Sequence, residues 1–395
     1  MGRAKKLCAF ALACGMALGM VGCAGSQAMA DTPTGGYEMT ITSEMQGDTI
    51  ALLEGEVYEF AANYTKGLGL QYAPAVAKQG TDRFAPKPAT ISWENSRQGA
   101  LYYTVRVGLK KDLSDAQEYL VNDTTIDIDY LFAAKHYYYQ IYAHYENNEV
   151  VKSQIFDFYT QDLPRTVSIP NVSNTRDIGG RFVLGGKYQV KQGMVYRGAE
   201  VDPSSSKAWG AITEEGKRIM VDVLGIKTDL DLRDGKTLTQ SPIDPSLVYI
   251  NVAAPWYAGH ENSITAAKYK AALTTEIRTF ANPDNYPIYL HCSLGRDRAG
   301  TLALLISALV GVEEIDLYRD YEMSFFSITG WADASQSDAQ HANLMGAVAS
   351  IINHLNTYKG NSLMEKTESF VKEYLGITQE EVDTIRSMMW EEVAQ

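Results

Sequence analysis

The chain has 395 residues, of which 45% are hydrophobic, and a formal net charge of −13. This length allows two or three domains with a full core in each, and the apolar fraction is that of a globular protein. The acidic balance argues against nucleic acid as a partner, and any highly phosphorylated ligand must be met by a local basic patch.

In chain order, Arg3, Lys5 and Lys6 make a basic start, and Leu7 to Val21 is an apolar run too short for a comfortable membrane span. Met20-Val21-Gly22-Cys23 then resembles a lipobox, where bacterial lipoproteins are cut before a cysteine that carries lipid. The expectation is a signal peptide over 1–22, lipidation at Cys23, a Gly/Ala/Ser/Thr-rich tether over 23–36 and an exported protein held at the cell envelope by its lipid alone. Cleavage after Ala28-Met29-Ala30, giving a secreted protein, is the alternative. Cys8 and Cys14 leave with the signal in either case. With Cys23 acylated, Cys292 is the one free thiol and no structural disulfide forms.

From Tyr37 to about Tyr159 the pattern is strand-like. Residues 37–83 read as a β-rich segment that adds strands to the following domain or forms a separate cap. Over 84–163, Ile91-Ser92-Trp93, Tyr102 to Val107 and Tyr137 to Tyr145 alternate apolar and polar positions with many aromatics. Leu131, Ala133, Lys135, Tyr137, Ile141 and Ala143 are spaced as in the corner before strand F of a fibronectin type III domain, which this stretch resembles. The resemblance implies an all-β sandwich with Trp93 on strand B and Tyr137 as the corner tyrosine. Pro and Thr of that pattern are replaced here by Ala133 and Lys135. The tyrosines suit a β-sandwich core with an amphipathic rim better than a carbohydrate platform.

Past Pro164 the pattern changes to short strands, Val195-Tyr196 and Asp229 to Leu232, among helices. Helical spacing covers Ile264 to Phe280, Glu313 to Tyr321, Ala347 to Tyr358 and Ser362 to Leu375. Thr378 and Glu381 form a capping box that opens a last helix. Residues 164–395 therefore predict an α/β domain with a central, mostly parallel sheet flanked by helices. Such a sheet takes its ligand at the carboxyl ends of its strands.

One of those ends is the apolar run Pro287 to Leu290, followed by His291-Cys292-Ser293-Leu294-Gly295-Arg296-Asp297-Arg298-Ala299-Gly300-Thr301 and a helical run to Val310. The pattern is a strand, a tight loop and a helix N-terminus around one thiol. A helix N-terminus offers backbone N–H groups and a positive dipole end to an anion. Arg298 adds a planar fork of donors that fits a tetrahedral oxyanion. The stretch resembles the signature loop of the cysteine-dependent tyrosine phosphatases. It is closest to the bacterial form that reads His-Cys-x-x-Gly-Lys-Asp-Arg-Thr-Gly. Asn174-Thr175-Arg176-Asp177-Ile178-Gly179-Gly180, Gly193 to Gly198 (Gly-Met-Val-Tyr-Arg-Gly) and Leu224 to Arg233, ending Asp-Leu-Arg, resemble further motifs of that family in the same order.

The resemblance implies a phosphoric monoester hydrolase that needs no cofactor and no metal. Cys292 attacks phosphorus, and Ser293, Leu294, Gly295, Arg296 and Arg298 hold the phosphate. Asp297 protonates the leaving oxygen, with Asp234 in reserve. Asp297 also sits where Asp caps a helix, and the two roles can coexist. Arg296 stands at the family's lysine position, as an extra cation for acidic substrates or as a solvated surface charge. His291 is expected to hold the loop by hydrogen bonding. Gly295 and Gly300 allow close backbone approach, and Arg176 and Asp177 form a buried structural pair. Ala299 departs from the family, which places Thr or Ser there to help cysteine leave phosphocysteine. Phosphotyrosine proteins, phosphoinositides and inositol phosphates all suit such a loop as substrates. The alternative is a weak or silent phosphatase-like lipoprotein that binds or adheres. If the cysteine reading holds, hydrolysis survives strong chelators and is lost to thiol alkylation and to vanadate; loss to a chelator with recovery on adding a divalent ion would point to another site.

Overall fold

Tyr137, Tyr139, Ile141 and Ala143 alternate with Tyr138, Gln140 and Tyr142, so an extended chain here sends one set inward and the other outward. In the computed structural model this strand runs His136–His144 and alternates half-buried and buried positions along its whole length. The structure describes residues 39–68, 85–205, 207, 209–235, 238–252, 267–327 and 338–393. The expected signal peptide, Cys23 and the whole tether lie outside them.

The described chain divides into two units, one of residues up to Ile50 with Pro88–Gln161, the other of Ala51–Lys87 with Asp162 onward. The first unit holds strands β1 (Met39–Ile41), β2 (Thr49–Ile50), β3 (Ala89–Asn95), β4 (Tyr102–Gly108), β5 (Gln117–Val121), β6 (Thr125–Ile128), β7 (His136–His144), β8 (Val150–Lys152) and β9 (Phe156–Thr160). They form two sheets, β1-β3-β6 and β2-β9-β7-β4-β5, with β8 paired to β7. Trp93 of β3 is buried and meets Tyr103 of β4 edge-on, with ring centroids 5.2 Å apart. The Tyr137 hydroxyl accepts from the Phe132 backbone N–H at 2.8 Å.

The segment 37–83 does not stay together. Residues 39–50 give β1 and β2 to the two sheets, whereas Gly55–Ala62 is a helix, α1, and part of the second unit. This corrects the expectation of a β-rich segment, which holds only for its first part. Val57, Phe60 and Ala61 have the i, i+3, i+4 spacing of a helical stripe, and they pack with Leu53, Leu163, Met323 and Phe326. Residues 69–84 lie outside the described residues.

The second unit continues with β10 (Arg176–Asp177), β11 (Phe182–Val183), β12 (Tyr188–Val190), β13 (Val195–Gly198), α2 (Glu214–Arg218), β14 (Thr228–Asp231), β15 (Val248–Asn251), α3 (Lys270–Phe280), β16 (Ile288–His291), α4 (Arg298–Leu309), α5 (Glu314–Met323), α6 (Asp338–Leu355), α7 (Leu363–Glu373), α8 (Gln379–Met389) and β17 (Trp390–Glu392). Its main sheet has the order β10-β13-β16-β14-β15. β13, β16, β14 and β15 are parallel, and β10 is antiparallel at the edge. β16 lies between two parallel neighbours and is buried at every position, which explains its unbroken apolar run. All twelve residues of α4 are buried. Leu302, Leu305 and Leu309 share one apolar core with Leu230, Leu290, Ile277, Ile352, Phe370 and Ile385.

Thr378 and Glu381 exchange both bonds of a capping box ahead of α8. The chain then closes in β17, which pairs with β12 and escaped the sequence reading. In the first unit, the Tyr137 hydroxyl is the hydrogen-bond partner of the Phe132 amide. Tyr137→Phe should therefore destabilise that unit by about 1 kcal/mol in urea unfolding, and should leave the Cys292 loop unaffected.

Candidate active site

β16 ends at His291 and α4 begins at Arg298, so residues 292–297 must turn the chain from the sheet into the helix within six positions. Gly295 makes the turn with φ +69°, and a Cβ there would come within 2.3 Å of the Gly198 carbonyl carbon. Gly300, in the first turn of α4, lies so near the Arg197 guanidinium that a Cβ would be 2.7 Å from it.

The loop carbonyls are held from outside. The Glu200 amide donates to Ser293 O at 3.2 Å, and Asn174 Nδ2 to Leu294 O at 3.1 Å. Arg197 Nη2 donates to Gly295 O at 2.7 Å and to Arg296 O at 3.0 Å. A planar trans peptide points its N–H opposite its carbonyl. With four successive carbonyls drawn outward, the amides of residues 294–297 turn to the inner side, as in an anion-binding nest.

Cys292 sits at the base of this loop and is 3% exposed. Arg298 is buried, and its Nη1 donates to Leu232 O and to Asp234 Oδ1, each at 3.0 Å. Asp234 follows the end of β14, with its side chain 58% exposed. Asp297 is buried; Arg296 donates to both of its oxygens at 3.1 Å, and the Tyr321 hydroxyl to Oδ1 at 3.0 Å. The Asp297 carboxyl makes no capping bond to α4, which removes the helix-cap role. Arg296 is not a solvated surface charge: its side chain is 11% exposed and folded onto Asp297. Burial works against its charge, but Asp297 raises its pKa above the ordinary value.

His291 is fully buried, with Nε2 2.9 Å from Asp229 Oδ1 and Nδ1 3.3 Å from the Cys292 carbonyl. Both ring nitrogens face acceptors, so both are placed to carry hydrogens. Burial opposes that charge, yet Asp231 and Asp229 raise the imidazole above its usual value. Ser241 bonds the far oxygen of Asp229 at 2.7 Å. Arg233 bonds Asp231 through Nε and Nη2 and reaches Glu200 through Nη1 at 2.9 Å. Burial pushes Asp231 up, but His291 and Arg233 hold it at about 2.

Arg176 and Asp177 are both buried, but they do not pair with each other. Arg176 Nε donates to Asp320 Oδ1 at 2.6 Å, whereas Asp177 takes Arg165 Nη1 at 2.8 Å. They are consecutive residues of a strand, so their side chains leave on opposite faces. Asp320 also binds Arg197 Nη1 and thus joins the two arginines.

Several supporting residues were given no role from sequence: Asp320 and Tyr321 on α5, Arg197, and Lys207, whose Nζ reaches Ser293 Oγ at 3.0 Å. Asp320 could have been noticed as a carboxylate at the edge of the helical stripe Leu317, Tyr321, Ser324. Lys207 stands in no pattern. Thr301, one turn into α4, donates its hydroxyl to Asp297 O at 3.0 Å, and Ala299 is fully buried.

Residues 167–391 match the family model described as tyrosine phosphatase family. The chain belongs to that family. A protein of Cupriavidus necator named "Putative tyrosine-protein phosphatase" is 25% identical over 170 residues, 39% of this chain and 61% of its own. The chain thus spans less than two thirds of the length of that relative. Among solved structures, the core catalytic domain of the PP-IP phosphatase SIW14 from S. cerevisiae, in complex with citrate, is similar at 16% identity and a TM-score of 0.27. The likeness covers 48% of this chain and 96% of that one. By class, a tyrosine phosphatase family domain is a phosphoric monoester hydrolase.

Asp320 offers a test of how the family loop is held here. Burial pushes its carboxyl up, but Arg176 and Arg197 pull it down to about 2. A carboxyl depressed in the folded state stabilises fully above its unfolded value near 4, and the contribution is lost as pH falls toward about 2. Asp320→Asn leaves two buried guanidiniums short of a counter-charge. It should cost about 3–5 kcal/mol near neutrality, and the gap to the parent should narrow without closing as pH falls from about 4 to about 2 in unfolding experiments.

Proposed function

We propose that the protein is an exported, lipid-anchored cysteine phosphatase that hydrolyses phosphate monoesters through a phosphocysteine intermediate. Supporting it most directly is a nucleophilic residue type, Cys292, at the base of a loop whose carbonyls from Ser293 to Arg296 are held from outside, with Arg298 at the start of the following helix. The Cys292 Sγ attacks phosphorus and the P–O bond to the leaving group breaks. Inward amides and Arg298, released from Asp234, take the charge on the equatorial oxygens. Asp297 protonates the departing oxygen, as the family resemblance implies, once Arg296 yields it. Water then attacks phosphocysteine, Asp297 takes the proton, and inorganic phosphate and the thiolate are regenerated.

Phosphotyrosine protein leads as substrate, on the name the Cupriavidus necator relative carries. Phosphoinositides and inositol phosphates complete the panel to be assayed for released phosphate. The first unit reads as a fibronectin type III-like sandwich: its three-stranded and larger sheets, Trp93 on β3 and the Tyr137 corner bond fit that architecture. The lipobox-like run ending at Cys23 carries the anchor.

Cys292→Ser should abolish hydrolysis and keep oxyanion binding, because the cradle is backbone and Arg298; near-parental turnover in that variant would sink the mechanism. The proton donor shows in the leaving-group dependence. Asp297→Asn should lose most rate on alkyl and phenyl phosphates and little on nitrophenyl esters, whereas Asp234→Asn should fall evenly on both. The reverse pattern would transfer the donor role to Asp234.

A second reading, phosphate binding with slow or no turnover, is favoured by Ala299. The neighbouring hydroxyl of Thr301 is directed to Asp297 O and not into the loop. If the second step is slow, product alcohol appears as a pre-steady-state burst. Ala299→Ser, one added atom at a fully buried site, should raise the steady rate and shrink the burst.

A further inference from the structure

We propose that residues 51–68, which precede most of the sandwich strands in sequence, are a built-in buttress of the Cys292 loop and act on it through α5. This rests on the reading of that loop as an oxyanion cradle. α5 has two working faces. Asp320 and Tyr321, with Ser324 just beyond, point to the loop side: Asp320 holds Arg176 and Arg197, Tyr321 holds Asp297, and Ser324 Oγ accepts from Asn174 and Arg176. Tyr318, Arg319 and Glu322 lie on the other side, as a period of 3.6 residues requires.

That second face is covered by the 51–68 segment. The Tyr64 hydroxyl donates to Glu322 Oε1 at 2.5 Å, and the Gly67 amide donates to the same oxygen at 2.8 Å. Arg319 Nη1 reaches Ala61 O at 3.4 Å, and Lys66 Nζ stands 3.8 Å from the centroid of the Tyr318 ring. Phe60 is fully buried and packs on Phe326, just past α5, with ring centroids 5.0 Å apart. Glu322 is itself fully buried, so a carboxylate that needs satisfied bonds fixes the rotation of α5 about its axis. Rotating α5 moves Asp320 and Tyr321 together. Arg197 and Asn174 then lose their aim at the loop carbonyls, and the inward amides lose their common focus. Tyr64 and Glu322 are positioning residues in this scheme, and neither touches the substrate.

The test uses the full chain and inorganic phosphate, titrated by calorimetry at a temperature well below each variant's melting point. Measurable phosphate binding by the parent is the condition for the cradle reading, and its absence would remove that reading and this proposal with it. Given binding, Tyr64→Phe, which deletes one hydroxyl, should weaken phosphate affinity at least five-fold and lower kcat, while Glu59→Ala on an exposed face of α1 changes neither. Tyr64→Phe added to Asp320→Asn should cost little more affinity than Asp320→Asn alone, because both act along one chain of contacts. A Tyr64→Phe protein that melts lower but binds phosphate and turns over as the parent does would reduce the segment to a stability element and overturn the proposal. So would full additivity of the two substitutions.

Discussion

One carboxylate, Asp320, lies between two buried guanidiniums, and the loop depends on it. Arg197 reaches the carbonyls of Gly295 and Arg296 only because its other end is held on α5. Arg176 uses the same anchor to orient Asn174, which takes the carbonyl of Leu294. The candidate site is thus shaped by cations that bond the loop carbonyls directly or through Asn174. They pull the outer side of the backbone, and the inner side follows because peptide planes are rigid.

A second polar chain supports the opposite side of the loop. His291 rests on Asp229, Arg233 joins Asp231 to Glu200, and the Glu200 amide returns to the loop at Ser293. Burying this many ions is favourable only where each finds partners. The pairing here is near complete, and alternate cations and anions across β13, β14 and β16 hold charge that an apolar core would reject.

Residues whose type and spacing carry their role locally were legible in the sequence. The strand–loop–helix around Cys292, the alternation in β7 and the capping box at Thr378 each depend on neighbours within a few positions. Asp320, Tyr321 and the true partners of Arg176 and Asp177 were not legible, because those pairs join residues far apart in sequence. Consecutive charges such as Arg176 and Asp177 invite a pairing that a strand forbids. Arg296 misled for a related reason: the flexible side chain of a charged residue next to an acid can fold back onto it, and spacing alone does not show whether it does. α1 was missed because eight residues with three buried apolar positions make a weak stripe within a strand-like stretch.

The bond between Tyr64 and Glu322 spans 258 positions in the sequence. The chain contributes to the second unit, leaves it for the strands of the first and returns only at Asp162. During synthesis from the amino end, Phe60 and Val57 emerge long before Phe326 exists to cover them. The contacts of α1 with Met323 and Phe326 therefore close a long stretch of chain. The first-made helix of the second unit is thus complete in its packing only after the chain through Phe326 has appeared.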